Sequence, residues 1–297
     1  MILSVRVPAT TANLGSGFDC IGLAVDWYDE LTLETLDAPG LVIEVTGEGA
    51  ESVPRDSSHL VIATIEHCLR QWGVTMPSGM RLAAHNTIPH SRGLGSSAAA
   101  IAAGCALAHG IARPGEAPDP VELARLASLL EGHPDNAGAA VHGGAILAWI
   151  HDEDVELLHL DPAAGLRCVV FVPEFEVPTA GARSVLPEAV PRSDAVAQAI
   201  AAASLPKALE LRPDLLLAAT EDRLHQQYRA GLMPESWDLM SRLRAEGVPA
   251  VISGAGPTVL AIGLPEQLGP TSTVRHDGFI RRDLGIGHGL ELISRDF

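Results

Sequence analysis

The 297-residue chain sets 20 Lys+Arg against 37 Asp+Glu, a formal charge of −17, with a pI near 5.0. Such an acidic field repels phosphate backbones and anionic lipids, so neither nucleic acid nor a membrane surface is an expected partner. With 47% hydrophobic and 19% charged residues the chain can bury a sizeable core without disulfides, which excludes a disordered chain or a small stapled scaffold.

Residues 2–7 alternate, Leu3, Val5 and Val7 against Ile2, Ser4 and Arg6, and predict a strand that ends at Pro8. Arg6 inside that pattern, with no apolar run before it, argues against a signal peptide. The polar, glycine-punctuated segment from Thr10 to Gly22 reads as a loop. Strand patterns follow at 31–36 and 41–46, then a helix over 58–72 and a strand over 79–86. A Gly/Ser loop at 89–97 runs into an Ala-rich stretch, 98–109, whose longest apolar run is too short to span a membrane.

Residues 120–131 have helical spacing through Val121, Leu123, Leu126, Leu129 and Leu130, and 143–150 read as a buried strand. An acidic turn, His151 to Glu156, suggests a domain boundary within 150–165. The second half opens on an apolar strand, 167–173. Helices are expected at 193–205, 206–218, 219–230 and 235–246, and a strand–turn–strand over 250–262. Strands and helices mix without regular βαβ alternation, which favours α+β over a doubly wound sheet.

Nineteen of the 20 basic residues are arginine, and the single lysine is Lys207. Neither the P-loop GxxxxGK[ST] nor the protein-kinase VAIK lysine exists here, which excludes both of those phosphoryl-transfer families. Cys20, Cys68, Cys105 and Cys168 form no CxxC pair and fit a reducing, cytoplasmic setting.

Three segments carry candidate chemistry. In Pro89-His-Ser-Arg-Gly-Leu-Gly-Ser-Ser-Ala-Ala99, Gly93 and Gly95 let backbone N–H groups approach an anion. Ser96 and Ser97 stand where a helix begins, as N-caps or as ligand hydroxyls, and the helix dipole faces the loop. That describes a phosphate cradle without a lysine, or an ordinary capped helix start. The same glycines match GxGxxA, but no strand leads directly into them and the nearest acid, Glu116, lies in a Pro/Gly loop. Glu131-Gly-His-Pro-Asp-Asn136 places two carboxylates, an imidazole and an amide together, able to hold Mg²⁺ and position a hydroxyl, or simply a polar turn. Ser253-Gly-Ala-Gly-Pro-Thr258 is a hairpin turn, or a place where a ligand or another backbone comes close.

In this order, PATTANLGSGFD (8–19), PHSRGLGSSAA (89–99) and SGAGPT (253–258) resemble the three motifs of the GHMP kinase superfamily. EGHPDNA (131–137), Thr179-x-x-x-Arg183-x-x-Leu-Pro187 and Asp222-Arg-Leu-His-Gln226 with Arg229 resemble its homoserine kinase family in particular. The resemblance implies a two-domain α+β GHMP kinase fold. Residues 1–160 would form an N-terminal ATP-binding domain like the second domain of ribosomal protein S5, and 161–297 a ferredoxin-like C-terminal domain.

It also implies ATP-dependent phosphorylation of the side-chain hydroxyl of L-homoserine, in threonine biosynthesis. Pro89, His90, Ser91, Arg92, Gly93, Leu94, Gly95, Ser96, Ser97, Ala98 and Ala99 would wrap the ATP phosphates, with Ser97 and Glu131 at Mg²⁺. Arg183 and Arg229 would grip the substrate carboxylate and Asp19 its ammonium, while Asn13, His133, Asn136 and Thr179 line the hydroxyl end and Gly256 joins the substrate site. Asn136 is an amide and cannot act as a base, so the hydroxyl proton is expected to leave without a dedicated side-chain base, towards phosphate oxygen. Asn136, Glu131 and Ser97 form the expected catalytic group. The implied partners are ATP and L-homoserine, with a homodimer left open.

This chain departs from the family pattern at His59, where an Asn is usual, at Ala137-Gly-Ala139, and beyond residue 263, where Gly and Pro replace a long helix. Two other readings stay open, a GHMP kinase for another small alcohol and a nucleotide-binding sensor without turnover.

Overall fold

The alternation at residues 2–7 does start a strand, but that strand does not stop at Pro8: β1 spans Ile2–Asn13 and β2 spans Gly17–Thr35. The structure, a computed structural model, describes residues 1–152 and 154–295, and of Thr179, Ala180, Ser294 and Arg295 only the backbone. The segment expected as a loop is therefore mostly hairpin, with only residues 14–16 at its tip. Polarity misleads here because Thr10, Thr11, Asn13 and Ser16 are buried, each with a hydrogen-bond partner from elsewhere in the chain.

After β3 (Gly40–Gly47) come α1 (Leu60–Gln71), β4 (Gly79–Asn86), α2 (Ser96–Ala112), α3 (Pro120–Glu131) and α4 (Pro134–His142). The strands β5 (Ala145–His151) and β6 (Asp154–Leu160) close the first half. The second half holds β7 (Arg167–Pro173), α5 (Thr179–Ser184), α6 (Arg192–Glu210), α7 (Leu216–Ala219), α8 (Gln226–Arg229) and α9 (Pro234–Ala245). It continues with β8 (Ala250–Ile252), β9 (Val259–Gly263), α10 (Pro265–Leu268) and β10 (Phe279–Leu284), and the described chain ends in β11 (Glu291–Arg295).

The first sheet has the order β11–β1–β2–β4–β3, with β5 also on β2 and β6 on β5; among its described residues only β3 and β4 run parallel. The second is antiparallel throughout, β10–β7–β9–β8, which is 4-1-3-2 in its own chain order, the arrangement of a ferredoxin-like sheet. Helix α2 packs on β1, α1 and α3, and α4 packs on β1 and β2. Beyond its first turn α2 is apolar all round because it is buried all round: Ala98, Ala99, Ala102, Ala103, Ala106 and Ala108 are fully covered. Small side chains let the neighbouring helices close on it, and Gly104 lies against Thr64 of α1.

Two expected helices merge and one dissolves. α6 runs through Pro206, because the buried stripe Gln198, Ala201, Leu205, Ala208 and Leu209 continues across the proline. Between 219 and 226 the Asp222 carboxylate accepts from the backbone N–H of Leu224 (2.9 Å), His225 (3.1 Å) and Gln226 (2.6 Å), which leaves only the single turn α8.

Residues 285–295, which the expected division at 160/161 assigns to the second domain, return to the first sheet. Gly285 N donates to Asp26 Oδ1, bridges join Val25 to Ile286 and Gly143 to His288, and β11 pairs antiparallel with β1 from Arg6↔Glu291 to Ile2↔Arg295. The glycines at 287 and 289 let this strap lie flat, since a Cβ at either would press on the backbone of Val25 or of Val141 and His142. Gly287→Ala is expected to cost about 1–3 kcal/mol through this overpacking, read as a lower Tm with unchanged kinetics.

Candidate active site

Backbone hydrogen bonds stitch the three motif segments together. Thr10 N donates to Leu94 O (3.1 Å), Gly254 N to Ala12 O (3.0 Å) and Thr258 N to Arg92 O (3.3 Å). Ser253 Oγ lies 2.6 Å from Gly93 O and 2.7 Å from Thr11 Oγ1. Gly93 and Gly95 have φ of 74° and 69°, a region that favours glycine. A Cβ on Gly93 would collide with Ser253 O, and one on Gly95 with Thr10 Oγ1, close to Asn136 Oδ1. The anion loop thus touches the third motif at one glycine and Asn136 at the other.

A cavity of about 430 Å³ opens at this junction. Its lining falls into three groups. The first is loop 93–97 with Glu131. The second comprises Asn13, Asp19, His133, Asp135, Asn136, Arg183, Arg229, Gly254 and Ala255. A third, largely apolar group includes Val7, Leu31, Val53, Pro54, Leu60 and Val61.

In the first group the helix N-cap is Gly95, with no side-chain cap, so neither Ser96 nor Ser97 is the N-cap that their position suggested. The start of α2 keeps its N–H groups free of any side-chain acceptor, as an anion site requires. Ser97 Oγ instead donates to Glu131 Oε2 at 2.9 Å. Burial raises the Glu131 pKa, and the Ser97 bond only partly offsets that. Glu131 ends α3 and Gly132 turns the chain at φ 78°, so that α4 starts anew at Pro134, a helix the sequence reading does not contain. Among the expected loop residues, His90, Ser91, Gly93, Leu94, Gly95, Ser96 and Ser97 line the cavity. Pro89, Ala98 and Ala99 do not, and neither does Arg92. Its guanidinium bonds Pro173 O, Glu174 O and Glu176, which ties the loop to the end of β7.

The second group gathers the expected substrate residues. Arg183 and Asp19 face one another in a two-pronged ion pair, Nη2–Oδ1 2.8 Å and Nη1–Oδ2 3.2 Å, and Arg183 Nε is buried with no partner. Arg229, 2% exposed, donates to Ala182 O (3.0 Å), Gly254 O (3.2 Å) and His225 Nδ1 (3.1 Å). An arginine can only donate, so His225 Nδ1 must accept, and its Nε2–H then donates to Gly15 O at 2.9 Å. Burial, with Arg229 adding to it, lowers the His225 pKa, as that neutral tautomer demands. Asn13 spends both ends of its amide, donating to Gly254 O (2.7 Å) and accepting from Asp19 N (3.0 Å). Gly256 does not line the cavity and faces Met233, while Gly254 and Ala255 line it in its place. The Thr179 side chain lies outside the described residues.

The Asn136 carbonyl accepts from Thr10 Oγ1 at 2.8 Å. Asp135 beside it is 2% exposed, and its Oδ1 accepts from Asn136 N (2.7 Å) and Asn136 Nδ2 (3.3 Å). Burial pushes the Asp135 pKa up to about 7, aided by the Asp19 and Glu131 charges and opposed by the bond from Asn136 N and by Arg183. Sequence reading placed Asp135 among the candidate carboxylates but gave it no task; nothing in the sequence marks it as fully buried. His59, the family departure, lines the cavity with Nδ1 buried and without a partner, and burial lowers its pKa.

Fold and site together define a GHMP kinase: the family models for the GHMP kinase N-terminal and C-terminal domains match residues 59–144 and 196–269. The chain is 54% identical to a homoserine kinase of Cutibacterium acnes over 287 residues, 96% of this chain and 97% of that one. It is 49% identical to a homoserine kinase of Streptomyces coelicolor over 259 residues, 87% and 83% of the two chains. The crystal structure of a homoserine kinase from Cytophaga hutchinsonii superposes with a TM-score of 0.84 at 26% identity, covering 98% of this chain and 97% of that one. A putative homoserine kinase from Listeria monocytogenes gives 0.75 at 30% identity, covering 99% and 100%. The chain belongs to the homoserine kinase family.

Proposed function

We propose that this enzyme transfers the γ-phosphoryl group of ATP to the side-chain hydroxyl of L-homoserine, giving O-phospho-L-homoserine for threonine biosynthesis. The observation that carries the reading is the contact of Gly95 with the Thr10–Asn136 pair, which brings the phosphate cradle against the residue expected to position the acceptor hydroxyl. The names of its relatives agree.

Arg183, Arg229 and Asp19 suit a zwitterionic amino acid, because a guanidinium fork fits a carboxylate and a carboxylate fits an ammonium. In the described structure Arg183 and Asp19 neutralise each other, so the substrate replaces one ion pair with two. Arg229 is held by three acceptors and offers its remaining edge to the cavity.

Ser97 and Glu131 suit Mg²⁺, a hard cation that takes one or two protein oxygens together with substrate phosphates. Bound there, the ion would neutralise charge on the phosphates. Giving up the Ser97–Glu131 hydrogen bond is the local cost of taking it up, and the ion would offset the burial that raises the Glu131 pKa. The four cysteines are free, which suits the reducing cytoplasm we assign to the enzyme.

ADP release from MgATP tests the reading, with L-homoserine set against D-homoserine, mevalonate, galactose and no acceptor. Turnover selective for L-homoserine with a phosphoester product supports it. Turnover with another alcohol alone keeps the family and discards the amino-acid site. ATP binding without turnover on any acceptor makes the protein a sensor. Arg183→Ala is expected to raise KM for L-homoserine about 10–100-fold, the loss of one charge-assisted contact, with a smaller change in kcat. An unchanged KM would remove Arg183 from the substrate site.

A further inference from the structure

The residue expected to position the acceptor hydroxyl is itself held from two sides. Asn136 Oδ1 accepts from Thr10 Oγ1 at 2.8 Å, and Asn136 Nδ2 donates to Asp135 Oδ1 at 3.3 Å. Thr10 is fully buried on β1 and Asp135 is 2% exposed in the first turn of α4. Asp135 Oδ1 also accepts Asn136 N at 2.7 Å, which fixes the carboxylate to the backbone of the residue it orients. Gly22 lets this turn come close to β2, since a Cβ there would collide with the Asp135 carbonyl.

We propose that Thr10 and Asp135 are positioning residues which lock the Asn136 amide in one orientation, carbonyl towards Thr10 and amino group towards Asp135. The proposal rests on the phosphoryl-transfer reading of the site. An amide can present either a donor or an acceptor to a hydroxyl, and a half-turn about its last bond exchanges them. An ionised carboxylate only accepts, so it takes the amino group and rejects the carbonyl. The threonine hydroxyl, which could serve either way, then donates to the carbonyl. With one lone pair and one N–H committed, the carbonyl keeps a lone pair and the amino group keeps an N–H for the substrate. A protonated Asp135 is a donor and supports the reversed amide equally well, so the lock holds only while Asp135 is ionised.

The charges that act on Asp135 are Asp19 from β2, Glu131 at the end of α3 and Arg183 from α5; the Cys20 thiol of β2, which feels the Asp135 charge, and His133, which lines the same cavity, are the other titratable groups nearby. Burial does most to oppose its ionisation, with Asp19 and Glu131 adding to it, while the bond from Asn136 N and the Arg183 charge favour it, so burial and the cavity's charges together set the pH at which the lock forms.

Kinetics on the full-length enzyme separate the lock from a packing role. At pH 8 Thr10→Val and Asp135→Asn are each expected to lower kcat about tenfold, with KM for both substrates nearly unchanged. Thr10→Ser, which keeps the hydroxyl, recovers most of the loss. Wild-type kcat should fall on the acid side near neutrality, and that limb should vanish in Asp135→Asn. The deciding comparison is made in Asn136→Ala, where neither substitution should lower kcat further, because the group they orient is gone. Losses that persist in that background overturn the proposal. A wild type that fails to turn over L-homoserine overturns the functional reading instead, and the two failures are thereby distinct. Should a variant fold poorly, NMR of the Asn136 side-chain amide in wild type still decides. Shifts that move with pH near neutrality support the lock, and shifts that stay constant from pH 5 to 9 sink it.

Discussion

Gly95→Ala is expected to lower kcat by at least about a hundredfold while leaving a folded protein, the scale that a misplacement of about 1 Å at a reacting centre produces. Two effects combine. The residue sits at φ 69°, where a non-glycine residue costs roughly 1–2 kcal/mol. The added Cβ would also strike Thr10 Oγ1 and crowd Asn136 Oδ1. The strain alone is affordable for a domain whose stability is of order 5–15 kcal/mol. The collision is not, because relief requires either loop 93–97 or the Thr10–Asn136 pair to move, and each is proposed to hold one partner of the reaction. Steady-state kinetics with Tm as the folding control checks this. A variant that keeps its Tm and loses less than tenfold would mean that the loop and Asn136 are free to separate during turnover.

Asp135→Asn is expected to stabilise the enzyme at pH 8 by a few kcal/mol, even though it slows it. The unfolded chain releases the Asp135 proton near pH 3.9, an ordinary carboxylate value. The folded protein keeps that proton until about pH 7. Between those values the folded state binds more protons than the unfolded one, so stability falls as pH rises from about 4 to about 7 and levels above. A neutral amide carries no such cost. The gain over wild type should therefore be full at pH 8, shrink through pH 6 and disappear near pH 4. Urea unfolding at these pH values measures it. A gain independent of pH, or a loss, would mean that the carboxylate is comfortable in its ionised form where it stands.

Much of the first half was readable from periodicity. α1, β4 and α3 follow from their apolar spacing, and the start of α2 from glycines followed by alanines. The β1–β2 hairpin was not readable, because TTANLGSGFD puts polar residues where a strand's core face should be apolar. Those residues are polar since they reach Asn136, Gly254, Ala219 and Ser253, and sites are where local pattern and fold part company. Helix α4 was missed for a related reason: Pro134-Asp-Asn136 reads as a turn, yet proline at the first helical position and an acid in the first turn are also how helices start.

The site was legible as a set of residue types through family resemblance, and less so as a set of contacts. Arg183, Arg229, Asp19, His133 and Asn136 do line one cavity. What spacing could not reveal is that Asn13 is consumed by its neighbours, that Gly256 points away, and that Arg92 ties the loop to the end of β7. Asp135 escaped for a physical reason: burial, which gives a carboxylate its unusual proton affinity, is a property of the fold and not of the residue.

The return of the C-terminal strap has a consequence for how the protein is made. Strand β1 is synthesised long before β11, the strand that covers its outer edge. Until then β1 presents a row of unpaired N–H and C=O groups, an edge open to pairing with another chain. Completion of the first sheet therefore waits on a contact between segments far apart in the sequence, the kind of distant pairing that slows folding. The nascent chain is thus exposed to misassociation along this edge until β11 emerges, a window in which chaperone protection would matter.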